Sequence, residues 1–203
     1  ASAAVARSRD ASASTPRATR ASTSDSAACA VPPIGTFVRT SPHRPTRATI
    51  ASNTVRYEHG AYLSVEPFTD EGIVVLGGAS ATVQDNAVKS LATAWHPAYV
   101  DPATPGLRTG IRIDGAGAGT IVRRNTVDRS LSRGMLLVDS DGLKVRSNVL
   151  DPIFDVGMEV SGVTGSTIAD NTSFTSINEG ILVQATSTGN TFSGNATRGG
   201  SYG

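Results

Sequence analysis

The sequence predicts an all-β protein in which a parallel solenoid follows a basic, disordered N-terminal tail. Three observations predict it: a composition rich in turn formers, a repeat of about 23 residues, and an alternation of apolar and polar residues within each repeat. The chain has 203 residues, among them 21 Gly and 10 Pro, and only 17% are charged. Because a helical bundle needs more charged, helix-favouring residues, this composition favours strands and turns.

The repeat starts at a glycine that is followed by apolar residues one and three positions later. Its starts are Gly72, Gly110, Gly134, Gly157 and Gly180, and the last four are 24, 23 and 23 residues apart. An asparagine follows each glycine by 14 or 15 residues, and an earlier partial unit ends in the same way; these positions are Asn53, Asn86, Asn125, Asn148, Asn171 and Asn195. A fixed period of this size is typical of a solenoid.

Each repeat contains three short strands. In the first, apolar residues alternate with outward positions, as in Ile111 and Ile113 on either side of Arg112. The second carries the inward column Val83, Val122, Val145, Ile168 and Phe192. The third follows the asparagine and carries Val88, Val127 and Leu150. Three strands in 23 or 24 residues predict a right-handed parallel β-helix of five to six coils, stacked about 4.8 Å apart.

The asparagines predict a ladder along one corner of the stack. Asn tolerates left-handed and turn conformations, which suits a sharp turn between two strands. Its amide can also donate to the Asn of the neighbouring coil. Six Asn at equivalent positions therefore indicate a continuous row of side-chain hydrogen bonds.

Residues 1–47 are predicted to be a disordered tail, and residues 48–203 the β-helix domain. The tail holds seven Arg and two Asp, a net charge of +5, whereas the remainder carries −4. Its Ala, Ser, Thr, Arg and Pro cannot bury enough apolar surface to offset the entropy of ordering. A nucleic-acid partner is disfavoured because no aromatic residues are interleaved with the arginines.

Several other classes of protein are excluded. The single cysteine, Cys29, rules out an internal disulfide framework and a Cys-rich metal site. No apolar run reaches 18 residues, so no transmembrane helix is predicted. Phosphate-binding loops, dinucleotide fingerprints and nucleophile elbows are missing as well.

The coil period, the Gly-apolar strands and the Asn row resemble the pectate-lyase-like superfamily of right-handed β-helices over about residues 48–203. That superfamily contains polysaccharide lyases, hydrolases, uronan epimerases and proteins without catalytic activity. The resemblance therefore implies a secreted or cell-surface protein that handles polysaccharide. It leaves open whether the chain is a lyase or epimerase of acidic polysaccharide, or a non-catalytic binding or structural module.

Two long insertions point to one side of the predicted solenoid. The segments 57–71 and 91–109 both fall between a third strand and the next first strand, so they should leave from the same edge and wall one cleft. In the resembling enzymes the substrate groove lies beside such loops. The insertions supply candidate substrate-binding residues, namely Tyr57, His59, Trp95 and Tyr99. Sugar rings pack on aromatic faces, although Trp95 could equally cover the flank of the solenoid.

The outward side chains next to these loops are the candidate catalytic residues. A uronate lyase or epimerase needs a group that neutralises the carboxylate, a base for the C5 proton and a donor to the leaving group. Arg112, Asp114, Glu159 and His96 could divide these roles, with Arg133 as a further substrate-binding residue. A glycoside hydrolase would need two carboxylates about 5–10 Å apart. The alternative is a solvated, charged strand face without chemistry.

The sequence assigns no definite cofactor, and Ca²⁺ is the one candidate. Asp128 and Asp151 share a predicted column on neighbouring coils and could bind Ca²⁺ through their oxygens. Solenoid ends need protection from edge-to-edge pairing, and no capping helix is evident in the sequence. We therefore expect either a fragment of a longer β-helix or a homo-oligomer that covers its ends.

Overall fold

The computed structural model of the chain describes residues 23–24, 36–39, 47–57, 71–78, 80–90, 109–130, 132–174 and 178–199. These residues contain 19 strands in three sheets and no helix. Each of six coils contributes one strand to each sheet, and equivalent strands of successive coils pair in parallel. The predicted parallel β-helix and its number of coils are confirmed.

The first sheet contains the strands that begin at or beside the repeat glycine. They are β2 (Thr36–Arg39), β5 (Glu71–Leu76), β8 (Thr109–Asp114), β11 (Arg133–Val138), β14 (Val156–Ser161) and β17 (Ile181–Val183). The repeat glycines are required by close packing, since a Cβ on Gly134 would lie 2.6 Å from the carbonyl oxygen of Gly157 and 3.0 Å from Ile153. Only glycine, which has no Cβ, allows this close approach between neighbouring coils.

The second sheet follows after a short turn. Its strands are β1 (Thr23–Ser24), β3 (Arg47–Ala51), β6 (Ser80–Gln84), β9 (Ile121–Arg123), β12 (Lys144–Arg146), β15 (Thr167–Ala169) and β18 (Thr191–Ser193). β1 pairs with β3 in antiparallel orientation, whereas all other pairs in this sheet are parallel. β1 and β2 both come from the segment that the sequence assigns to the tail. In the structure these strands pair with β3 and β5 and join the sheets of the domain.

The third sheet follows the asparagine corner. Its strands are β4 (Thr54–Tyr57), β7 (Ala87–Ser90), β10 (Thr126–Asp128), β13 (Val149–Leu150), β16 (Thr172–Phe174) and β19 (Ala196–Arg198). The core lies between the three sheets and contains the inward columns predicted by the alternation. Ile111, Ile113 and Val145 are completely buried, and burying an aliphatic side chain of this size contributes about 1.5–3 kcal/mol. Phe192 is 39% exposed because, among the described residues, no coil stacks on β18.

The asparagine ladder is confirmed along its whole length. Nδ2 of Asn53, Asn86, Asn125, Asn148 and Asn171 donates in each case to Oδ1 of the next asparagine, over 2.8–3.0 Å. From Asn86 onward, the second amide hydrogen goes to a backbone carbonyl of the preceding coil, for example from Asn148 to Val122. The left-handed conformation falls one residue before each asparagine, at positions such as Asp85 and Arg124. The asparagine itself is held by the hydrogen bonds of its buried side-chain amide.

Candidate functional site

Two outward columns of the first sheet and two charged residues at its edge form what we call the first-sheet face. The columns comprise Val74, Arg112, Leu136, Glu159 and Leu182; and Leu76, Asp114, Val138 and Ser161. Glu71 and Arg133, each just before a repeat glycine, join the face through their side-chain contacts with Arg112 and Glu159. The predicted outward positions of Arg112, Asp114 and Glu159 agree with this register, and Arg133, predicted at the corner before the strand, is the first residue of β11. The face thus brings these four candidate residues onto one surface, in two separate groups.

The first group centres on Arg112. Its Nη1 donates to Glu71 Oε1 at 3.0 Å, on the preceding coil, and its Nη2 donates to Asp114 Oδ2 at 2.6 Å, on the same strand. Burial by itself lowers the pKa of Arg112, but the hydrogen bonds and charges of Glu71 and Asp114 outweigh it and raise that pKa above its ordinary value. Arg112 therefore stays cationic and cannot act as a base.

The second group centres on Glu159, which is 8% exposed. Its Oε2 accepts a hydrogen bond from Arg133 Nε, and its Oε1 accepts from Gln184 Nε2 at 3.3 Å. The group spans three consecutive coils because these residues lie on β11, on β14 and just after β17. Both oxygens of the carboxylate are engaged by hydrogen-bond donors.

A further carboxylate extends this second group toward the corner. Arg133 Nη1 donates to Ser132 Oγ at 3.0 Å, and that hydroxyl lies 3.5 Å from Asp155 Oδ2. Asn178 Nδ2 donates to Asp155 Oδ1 at 2.5 Å. Arg133 thus links Glu159 to the corner and holds the whole network in one arrangement.

Apolar side chains separate the two groups. Leu136 lies in register between Arg112 and Glu159, and Val138 lies beside Asp114. Asp114 and Glu159 are two coils and two residues apart in register, which puts their Cα atoms about 12 Å apart. Each belongs to a different ion pair. The pairing of these two carboxylates that a hydrolase would need is therefore not supported by the register.

The long insertions leave from one edge, as predicted. Tyr57 at the end of β4 pairs with Ser90 at the end of β7, and Glu71 at the start of β5 pairs with Thr109 at the start of β8. Both connections therefore start and finish on adjacent coils, next to Glu71 and Arg112. His59, Trp95, His96 and Tyr99 lie outside the described residues, and Tyr57 is described only as part of its strand, so their roles remain predictions.

The Ca²⁺ hypothesis receives little support from the described residues. Asp128 Oδ1 accepts from Arg129 Nε at 3.0 Å, so this carboxylate already has a cationic partner. Within the described ranges, no group of three or more His, Cys, Asp or Glu side chains is arranged to hold a metal ion.

Glu71 was missing from the sequence-based candidates. Its side chain is 9% exposed and is one of the two carboxylates that bind Arg112. Glu71 occupies the position before a repeat glycine, as Thr109 and Arg133 do in the next two repeats. Alignment of the repeats on that glycine identifies Glu71, whereas the length of the insertion places it at the end of a loop.

The part of the chain that the structure describes contains no helix long and apolar enough to cross a membrane. None of the curated proteins compared with the chain matches it. A crystal structure of a proposed glycosyl hydrolase from Parabacteroides merdae ATCC 43184 is similar to it. The TM-score is 0.50 at 14% sequence identity, over 80% of this chain and 83% of that chain. At this identity the likeness shows the fold alone.

Residues 35–202 match the family described as the right-handed β-helix region. The match includes β2 and every later strand. It agrees with the three parallel sheets and the stacked repeat glycines. On this evidence the chain belongs to the right-handed β-helix family.

Proposed function

We propose that this β-helix binds a neutral polysaccharide on its first-sheet face and does not cleave it. One observation carries the proposal: Arg112, Asp114, Arg133 and Glu159 are all engaged in ion pairs with one another or with Glu71. Side chains fixed in this way are preorganised for hydrogen bonding. They lack the uncommitted acid and base that catalysis requires.

The chemistry of the face suits sugar hydroxyls. Carboxylate oxygens accept hydrogen bonds, guanidinium and amide nitrogens donate them, and a hydroxyl group can do both. Leu136 and Val138 supply apolar surface between the two charged groups, against which the C–H faces of a sugar ring can pack. A saccharide chain lying along the coils would meet these surfaces in turn.

The charge of the region favours a neutral ligand over an acidic polysaccharide. Near the face, Glu71, Asp114, Asp155, Glu159 and Glu179 outnumber Arg112 and Arg133, which leaves a charge of −3. The insertion 58–70 adds three acidic residues and no Lys or Arg. This net negative charge disfavours the approach of a polyanion to this side.

A lyase or epimerase acting on acidic polysaccharide is the second candidate. Its support is the cation Arg112, which could neutralise a uronate, together with His96 as the base. Against it, Arg112 already has two carboxylate partners 3.0 and 2.6 Å away. Either activity would suit a secreted or cell-surface location, where polysaccharides are encountered.

The test is affinity electrophoresis of the full chain in gels containing a neutral galactomannan or xylan. Binding should retard the protein, and Glu159→Gln and Arg133→Gln should each weaken binding about tenfold, equivalent to about 1.4 kcal/mol. Arg129→Gln is the matched control because its ion pair with Asp128 lies at the third sheet, away from the face. Unchanged retardation in both face variants would refute binding at this face.

A second assay separates binding from catalysis. The protein is incubated with polygalacturonate, with alginate and with the neutral polymers, and products are followed by reducing ends and by ultraviolet absorbance of unsaturated uronates. We expect no product with any polymer. Unsaturated product that disappears in Arg112→Ala, while folded content is kept, would replace the proposal with the lyase candidate.

A further inference from the structure

The second sheet presents a cluster of cations on its outer side, which we call the basic face: Arg123, Arg124, Lys144 and Arg146. Arg123 and Arg146 are paired in register on β9 and β12, and Lys144 lies two residues before Arg146 on the same side of β12. Arg124 follows β9 at the corner. Neighbouring strands are about 4.8 Å apart and alternate residues about 6.6 Å apart, so the four cations occupy a small area.

The charges of this cluster are only partly compensated. Arg124 donates to both oxygens of Asp85, at 2.7 and 2.8 Å. Arg123 donates twice to Gln84 Oε1, at 2.9 and 2.7 Å, and that partner is neutral. Lys144 and Arg146 are exposed. Neither side chain makes a hydrogen bond or an ion pair with any other described residue.

Two other carboxylates near the face do not neutralise it. Asp141 Oδ1 accepts from Thr164 Oγ1 at 2.9 Å. The carboxylate of Asp170 lies against Gly194, where an added Cβ would meet its Oδ1. With Asp85, Asp141 and Asp170 counted against the four cations, the basic face carries a net charge of +1.

This arrangement is unfavourable for folding alone. Like charges directly opposite on adjacent strands destabilise a sheet, and Arg123 and Arg146 are such a pair. Screening by salt and the flexibility of long side chains reduce this repulsion, but they add no stabilising interaction. Residues 48–203 carry a net charge of −4. The basic face is therefore opposite in sign to the domain as a whole.

We propose that the basic face binds a carboxylated polysaccharide, and that this site is separate from the first-sheet face. Cations occupy the same register position on two adjacent coils, so two successive charged sugar residues of a linear polymer can meet Arg123 and Arg146 in turn. The exposed hydroxyls of Ser147 and Thr167 flank the cations and can bond to sugar hydroxyls. A single-stranded nucleic acid would need aromatic side chains for base stacking, and the described strands of this face carry none on their outer side.

The test is binding of the full chain to polygalacturonate, measured by biolayer interferometry at low salt. The same polymer with its carboxylates methyl-esterified is the matched ligand because only the charge differs. Polygalacturonate should bind and the esterified polymer should bind at least about tenfold more weakly. Raising the salt to about 0.5 M should abolish the difference, as screening predicts.

Variants locate the site. Arg146→Gln should weaken binding of polygalacturonate about tenfold, and Arg123→Glu/Arg146→Glu should abolish it, with circular dichroism and thermal unfolding as checks on folding. Arg129→Gln removes the same charge from an exposed position outside the basic face and should leave binding unchanged.

Three results would overturn the inference. Equal binding of the native protein and the double variant would place any polyanion binding elsewhere, above all on the seven arginines of residues 1–47. Equal binding of the charged and the esterified polymer would remove the role of charge. Tighter binding of a single-stranded oligothymidylate than of polygalacturonate would replace the polysaccharide with a nucleic acid.

Discussion

Arg112 and Glu159 lie in the same outward column of the first sheet, two coils apart, yet each is bound to a different set of partners. Leu136 occupies the register position between them. Arg112 is held by Glu71 and Asp114, whereas Glu159 is held by Arg133 and Gln184. Two residues in one column therefore do not necessarily form a catalytic pair, because the charges of Arg112 and Glu159 are each neutralised by their own nearby partners.

Truncating the middle of the asparagine ladder should strongly destabilise the protein. Asn148 is fully buried and takes part in four hydrogen bonds through its side chain, two as acceptor and two as donor. Asn148→Ala leaves several buried partners unsatisfied, at about 1–3 kcal/mol each. We expect a loss of about 3 kcal/mol or more in the free energy of unfolding, measured by urea denaturation.

The matched control is Asn195→Ala at the end of the ladder. Asn195 is only partly buried, and no further asparagine follows it among the described residues. The variant should lose clearly less stability than Asn148→Ala. Equal losses would mean that position in the ladder does not matter and that burial is not the cause.

A methyl group at a repeat glycine should be poorly tolerated. In Gly134→Ala the new Cβ would approach the Gly157 carbonyl oxygen to 2.6 Å, a contact with backbone that cannot rotate away. Gly78→Ala is the control because no heavy atom lies within 4 Å of its Cβ position. We expect Gly134→Ala to lose at least about 2 kcal/mol and Gly78→Ala to stay within about 0.5 kcal/mol of the native protein. Similar unfolding midpoints would contradict the close approach.

The repeat made the fold predictable because each coil imposes the same demands on the sequence. Gly134 has to be small, Val145 has to be apolar, and Asn148 has to bond to both neighbouring coils, so the same residue types recur. The left-handed residue before each asparagine was not predicted. It is Ser, Asp, Arg or Gly in different coils, so residue identity carries no consistent signal there.

The site was predictable only as a set of outward positions. The alternation identifies Arg112 and Glu159 as neighbours of the same groove, but ion pairing depends on side-chain directions that a period of two does not contain. Glu71 is the clearest example, since its contact with Arg112 crosses from one coil to the next and spans 41 positions in the chain. The two insertions interrupt the period at that point, which obscured the alignment.

The ion pair of Asp85 and Arg124 should make stability depend on pH in the acidic range. The hydrogen bond from Arg124 lowers the pKa of Asp85 below its ordinary value of 3.8 in the folded protein. A carboxyl group whose pKa is lower in the folded state contributes stability above the unfolded pKa, and loses it as the pH falls through the folded pKa. Asp85→Asn should therefore unfold at a lower temperature than the native protein near pH 6. The gap should narrow as the pH falls below 3.8 and close once the pH has passed the lower pKa of the folded state. A gap that stayed constant across this range would contradict the assignment.

Removing Arg112 should cost more than removing both members of its pair. In Arg112→Met the Glu71 carboxylate, 9% exposed, loses its cationic partner, and an unpaired buried charge destabilises a protein by several kcal/mol at full burial. Because Arg112 is 30% exposed and solvent screens part of the pair, we expect a loss of about 1–3 kcal/mol by urea denaturation. The double variant Glu71→Leu/Arg112→Met removes both charges and should recover most of that loss, whereas Asp114→Asn alone should have a smaller effect, since Asp114 is 27% exposed. A double variant no more stable than Arg112→Met would show that Arg112 acts through its packing and not through Glu71.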